Sequence, residues 1–387
     1  ELCDVIADFL HSESLSQVSR RLWQRLGGSR YVKLTGSSSD LLRRVEQIQG
    51  NMRSLQLNVR DTFDPTDLVT ALKSARHLQT LSLDNSRAAM GPIAVYALAV
   101  LKDFPSLCTL ALNLRDNAVG ASGAEALALL RHAPALQTLT LDLADNLLGP
   151  SGAQALVALK DAPSLRNLTL DLRKNALGAR GAQALALLQS APKLRNLSLD
   201  LGDNAVGGPG AQALAGLQHH PFLQALALDL RRNSVGCYGA DALAALRNTP
   251  SLQILTLNLW DNAVGDSGAE ALASLKEAPL LHTLTLDLAD NAVGPSGAQA
   301  LAALKATPSL HALTLNLWDN AVGDSGAQAL AALKDATSLH TLALALTHNA
   351  VGDSGAVALS ALGHASSLHN LSLNLWDNAV GDIGAQA

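Results

Sequence analysis

Four histidines, His282, His311, His340 and His369, recur every 29 residues, and a column of acids and amides keeps the same interval: Asn113, Asp142, Asp171, Asp200, Asp229, Asn258, Asp287 and Asn316. Neighbouring imidazoles could share a transition metal, and neighbouring carboxylates a cation or a proton. Neither column converges. Zinc needs three or four ligands in a tetrahedron and calcium six to eight oxygens gathered in a loop, whereas a column offers its ligands in a line. No metal and no cofactor is expected. The acids read as a polar ladder, with Arg173 and Arg231 two positions on to balance the charge, or as a surface for a basic protein segment. The histidines read as an exposed edge with mild pH sensitivity.

A further column alternates large and small residues: Arg115, Ala144, Arg173, Gly202, Arg231, Trp260, Ala289, Trp318, Thr347 and Trp376. Large side chains lying over small neighbours would explain the alternation by packing. Arginine and tryptophan are also the residues richest in interface hot spots. The candidate partner-binding residues are therefore Asp171, Arg173, Asp200, Asp229, Arg231, Trp260, Trp318 and Trp376. Catalysis has no comparable candidate: HExxH, GxxxxGK[ST] and GxSxG do not occur. The run Gly265, Asp266, Ser267, Gly268 resembles a serine-protease nucleophile segment, but it returns at Gly323 and Gly352, and Asp and Ser suit a helix start. A catalytic centre is one constellation, not a column of copies, so the chain is read as a non-enzyme.

Columns need an array to carry them. Asn117, Asn146, Asn175, Asn204, Asn233, Asn262, Asn291, Asn320, Asn349 and Asn378 mark its period, and the unit around each reads LxxLxLxLxxNxVGxxGAxALAxLxxxPS. A unit this short cannot bury its own apolar face, so neighbouring copies must supply the core. Leu139, Leu141 and Leu143 alternate as one face of a strand. Gly152, Ala153, Leu156 and Leu159 form a helical stripe, and Pro163 stops the helix. Each Asn can satisfy backbone groups at its turn and at its neighbour's, a structural ladder that needs no ligand. Strands sit about 4.7–4.9 Å apart and helices about 8–10 Å, so the helices take the outside of a curve. The expected fold is an α/β horseshoe with a parallel concave sheet and convex outer helices.

The composition agrees. A net charge of -5 leaves no basic footprint for nucleic acid. No run of 18 apolar residues marks a membrane span. Three scattered cysteines, Cys3, Cys108 and Cys237, suit a reducing compartment, cytoplasm or nucleus. The chain opens without Met and stops part-way into a repeat's helix, as a piece of a longer protein would.

On these motifs the chain resembles leucine-rich repeat proteins of the ribonuclease-inhibitor type, strongly over 107–387 and weakly over 55–101. The resemblance implies a right-handed solenoid that binds a protein on its concave face. One x-Leu is added to each unit, as in Leu141, Asp142, Leu143, which should lengthen the strand. Ten repeats are expected in 107–387, the last truncated, with divergent first repeats in 51–106. Residues 1–50 show no repeat and read as a helical cap. Within them Ile6, Phe9, Leu10, Leu15 and Val18, followed by Arg21 to Leu26, resemble an F-box, which implies docking of a Skp1-like adaptor through residues 1–26 and a eukaryotic origin. The leading reading is a protein-interaction scaffold or a component of a larger assembly. The alternatives are an F-box substrate receptor of a cullin-based ubiquitin ligase and a rigid spacer.

Overall fold

The computed structural model describes residues 30–48, 52–59, 61, 64–73 and 75–387. Thirteen parallel strands form one sheet in strict chain order, from Arg30–Gly36 to Asn370–Asn374. The strand Thr138–Asp142 shows why: Leu139 and Leu141 are fully buried, while Thr138, Thr140 and Asp142 keep partial exposure. Each leucine pairs with its copy, Leu139 with Leu168 and Leu168 with Leu197, so a slip of one residue would turn every leucine outward. A single apolar core runs from Val32 to Leu362.

Of the added pair Asp142 and Leu143, the first closes the strand Thr138–Asp142 and the second lies just beyond it. Asp145, at φ 56°, turns the chain out of the sheet, and the ladder continues only through alternate groups: Leu143 N–H to the Asp171 carbonyl at 2.8 Å and Asp145 N–H to the Arg173 carbonyl at 2.9 Å. Beyond the turn, the helix Gly149–Leu156 tightens into a 3₁₀ segment, Val157–Asp161. Ala162 then takes ψ 124°, as a residue before proline must.

The small residues of the helix stripe meet other helices more closely than they meet the sheet. A Cβ on Gly210 would lie 2.4 Å from Val206 Cγ1 of its own turn, 3.1 Å from Ala182 Cβ and 3.2 Å from Ala179 Cα of the preceding helix. The glycine column therefore sets the spacing of the convex layer.

The array starts earlier than its period suggests. Arg30–Gly36 pairs in parallel with Met52–Val59 and is followed by the helix Ser38–Ile48, whose Leu41 and Val45 are buried. Residues 30–48 thus supply a strand and a helix of the array, inside the segment 1–50 expected to stand outside it. Val32 pairs with Leu55 and Leu55 with Leu81, steps of 23 and 26 residues against 29 from Leu81 on. Ile6, Phe9, Leu10, Leu15 and Val18 lie outside the described residues.

Candidate functional site

The turns after the strands hold the outward columns in place, and the asparagines hold the turns. Asn146 Oδ1 accepts from the Asn117 N–H at 3.0 Å and the Val119 N–H at 3.1 Å, both in the preceding repeat. Its Nδ2 donates to the Leu114 carbonyl at 2.8 Å and to its own Ala144 carbonyl at 3.0 Å. The side chain is fully buried, as buried amides with all groups partnered can be. The same bonds recur from Asn117 to Asn378, although Asn320 and Asn378 are only partly buried. Before each Asn stands a left-handed residue, and after every one but Asn320 and Asn378 stands another, such as Asp145 at φ 56° and Leu147 at φ 57°. These non-glycine residues carry strain, and the amide is what fixes them.

The aspartates of the GDSG runs suit a helix start in the sequence, but the helix they serve is not their own. Asp266 accepts from the Gly294 N–H at 2.7 Å and the Gly297 N–H at 2.8 Å, at the start of the next repeat's helix. Asp324 does the same for Gly352 and Gly355, with the Ser354 hydroxyl added at 2.6 Å, and Asp353 for Gly381 and Gly384. The aspartate of a GDSG run therefore serves the helix after its own. Where it is present, the next glycine is extended, φ −98° at Gly294 and −99° at Gly352. Where proline, alanine or cysteine stands instead, as before Gly323, Gly149 or Gly265, the glycine is left-handed. Reading that position as a column, like the others, would have found it.

On the concave face the acids and arginines form one network. Asp200 lies 3.1 Å from Arg173 Nε and 2.9 Å from Arg231 Nη2, Asp229 lies 3.0 Å from Arg231, and Arg173 also grips Asp171. Burial, then the charge of Asp229, push the Asp200 carboxyl up to about 6 despite the arginines. Burial also raises Asp142 and Asp229. The Asp171 hydrogen bond holds Arg173 firmly protonated. Arg231 lies over Gly202, where a Cβ would come within 2.9 Å of its Nε. Ala144, Gly202, Ala289 and Thr347 are buried while the large residues between them keep exposure, so the alternating column is a packed one.

Exposure rises along the tryptophans. Trp260 is half-buried beneath the Arg232 guanidinium, 4.5 Å from its ring centroid, whereas Trp318, with no arginine over it among the described residues, is 39% exposed; Trp376 stands on the last strand, Asn370–Asn374, which has no further repeat beside it. Sequence spacing thus brings Asp171, Arg173, Asp200, Asp229 and Arg231 into one cluster, and leaves Trp318 and Trp376 apart from it at the far end.

The four histidines stack with centroids 5.3, 5.1 and 5.2 Å apart. His282 and His311 place Nδ1 2.6 Å from the carbonyls of Leu280 and Ser309. Among the described residues no group of three or more His, Cys, Asp or Glu is placed to hold a metal ion, and no helix is long and apolar enough to cross a membrane.

A family model described as Leucine Rich repeat matches residues 108–128, 135–157, 164–186, 194–215, 253–273, 281–302, 311–331 and 338–360. No curated protein matches the chain. Among solved structures, an internalin from Listeria monocytogenes matches at 15% identity, with 89% of this chain and 86% of that chain covered and a TM-score of 0.44.

Proposed function

The chain is a leucine-rich-repeat solenoid, and on that premise we propose that it is a non-catalytic scaffold that holds a protein partner on the concave face of its sheet. One observation carries the reading: the buried columns hold Leu, Ala and Gly almost unchanged, while the column at the strand ends changes from arginine to tryptophan and the Trp318 ring, inside the array, is open to solvent. Large rigid side chains on a fixed frame bind with little ordering cost. The acid and arginine network beside them supplies polar partners for the rim.

A photoreactive side chain at position 318 tests this. It should capture a defined partner, while the same group at Leu147, exposed in a turn, should not. Trp318→Ala should then weaken that partner at least thirtyfold, as loss of a hot spot of about 2 kcal/mol does. A partner bound with unchanged affinity, or a lowered melting temperature with all interactions intact, would replace this reading with that of a rigid spacer.

The finer assignments rest on sequence alone. The ribonuclease-inhibitor type is supported by the unit's motif, and the reducing compartment, cytoplasm or nucleus, by three scattered cysteines. The substrate-receptor alternative is supported by the spacing of Ile6, Phe9, Leu10, Leu15 and Val18 ahead of the repeats. Recovery of a Skp1-like adaptor, lost on Leu10→Ala with Leu15→Ala, would establish it.

A further inference from the structure

The chain contains a worked example of what its exposed tryptophans can hold. The Arg232 guanidinium lies 4.5 Å from the Trp260 ring centroid, and its Nε lies 3.5 Å from the Asp261 carboxylate. A cation on a ring face with a carboxylate alongside is doubly favoured. The position of Arg232 is fixed by the sheet edge, because its N–H donates to the Trp260 carbonyl at 2.9 Å.

Asp290 stands in the same relation to Trp318, its N–H donating to the Trp318 carbonyl at 2.8 Å, and it shares the left-handed backbone of Arg232, φ 52° against 53°. The ring and its own aspartate, Asp319, are retained, but the internal cation has become an acid. Asp290 is exposed and has no ion pair among the described residues. At Trp376 the equivalent position is His348, which is held by Asp319 at 2.5 Å, and Asp377 lies beside the ring in sequence.

We propose that the Trp318 ring, with Asp290 at the place Arg232 takes beside Trp260 and with Asp319 shared with His348, is a seat for an arginine guanidinium of the partner, and that Trp376 is a second, weaker seat. The proposal rests on the concave-face reading and specifies the partner's chemistry: an arginine-bearing protein segment. Trp260 is excluded because Arg232 already fills its seat. Trp318 and Trp376 are two strands apart, about 10 Å, which matches arginines three residues apart in a polyproline-II segment, where three residues make one turn at about 3.1 Å each and both side chains fall on one face. Guanidinium is preferred to ammonium because its plane can lie on the ring and still present N–H groups edgewise to the carboxylates.

The test uses the full chain labelled with 5-fluorotryptophan, whose four ¹⁹F resonances, one per tryptophan, are assigned by substitution. The probe is the blocked peptide Gly-Arg-Gly-Gly-Arg-Gly at low ionic strength, with the lysine and glutamate versions as controls. The Trp318 and Trp376 signals should move on titration and the Trp260 signal should stay. Arg232→Ala should add Trp260 to those that move. Asp290→Asn should weaken the Trp318 response about threefold, in keeping with the modest strength of an exposed ion pair, and the lysine peptide should bind more weakly than the arginine one. Equal movement of Trp260 in the unmodified chain, an equal response to the glutamate peptide, or no response at Trp318 would overturn the seat. If Trp318→Ala still weakens the photocaptured partner after such a result, the guanidinium assignment alone falls and the concave-face reading stands.

Discussion

Asn233→Leu removes four hydrogen bonds from the centre of the array, and their loss is unequal. The Leu201 carbonyl keeps a second donor, Asn204 Nδ2 at 3.0 Å, and the Arg231 carbonyl keeps the Asp203 N–H at 3.1 Å. The N–H groups of Asn204 and Val206, now 3.1 and 3.0 Å from Asn233 Oδ1, are left with no acceptor. At about 1–3 kcal/mol for each buried unsatisfied donor, less what a buried leucine recovers, the net loss is about 2–3 kcal/mol. Two left-handed residues, Arg232 at φ 53° and Ser234 at φ 55°, lose their anchor as well. The loss should lower the urea midpoint and strip hydrogen-exchange protection from the Val206 N–H before that of Leu226 in the adjacent strand. A wild-type midpoint with Val206 still protected would refute the structural role of the ladder.

Four further outcomes are expected. Ala263→Gly, at a left-handed position of φ 54°, should stabilise the chain by about 1 kcal/mol in denaturant titration. Asp200, raised to about 6, makes the native state hold its proton while the unfolded chain releases it near 3.8; stability should fall as pH rises through that window, and the slope should shrink in Asp200→Asn to what the raised Asp142 and Asp229 contribute. His220 is buried and lowered by burial, so stability should fall as pH drops through 6.5, where only the unfolded chain takes up the proton; His220→Ala should flatten that acid limb. Asp324→Ala should cost about 1 kcal/mol, and the Gly352 chemical shifts should move toward those of left-handed Gly323. Because the Ser354 hydroxyl and then the Gly352 N–H hold Asp324 below the usual carboxylate range, its contribution should disappear as pH falls through that lowered value.

Periodicity made the fold legible wherever the unit kept its length. The leucine columns, the asparagine ladder and the outward face all follow from a spacing of 29. The strand Arg30–Gly36 was not legible, because its connections run 23 and 26 residues and a fixed-period reading passes over them. The Asp266, Asp324 and Asp353 bonds were missed for another reason. A capping aspartate is sought in its own helix, and here its acceptors serve the next one. The alternation of Arg173, Gly202 and Arg231 could be seen, but which residue covered which needed coordinates: a Cβ on Gly202 would strike Arg231.

The two hydrogen-bond systems point in opposite directions along the chain. Every asparagine secures the turn before it, whereas the aspartates secure the helix after them and do so only from Asp266 onward. Loss of a repeat at the amino end therefore strips no turn of its asparagine. Loss of one at the carboxyl end leaves the preceding turn, with its two left-handed residues, unheld. Breaking the array between any two repeats therefore frees a strained turn on the amino side of the break and none on the carboxyl side.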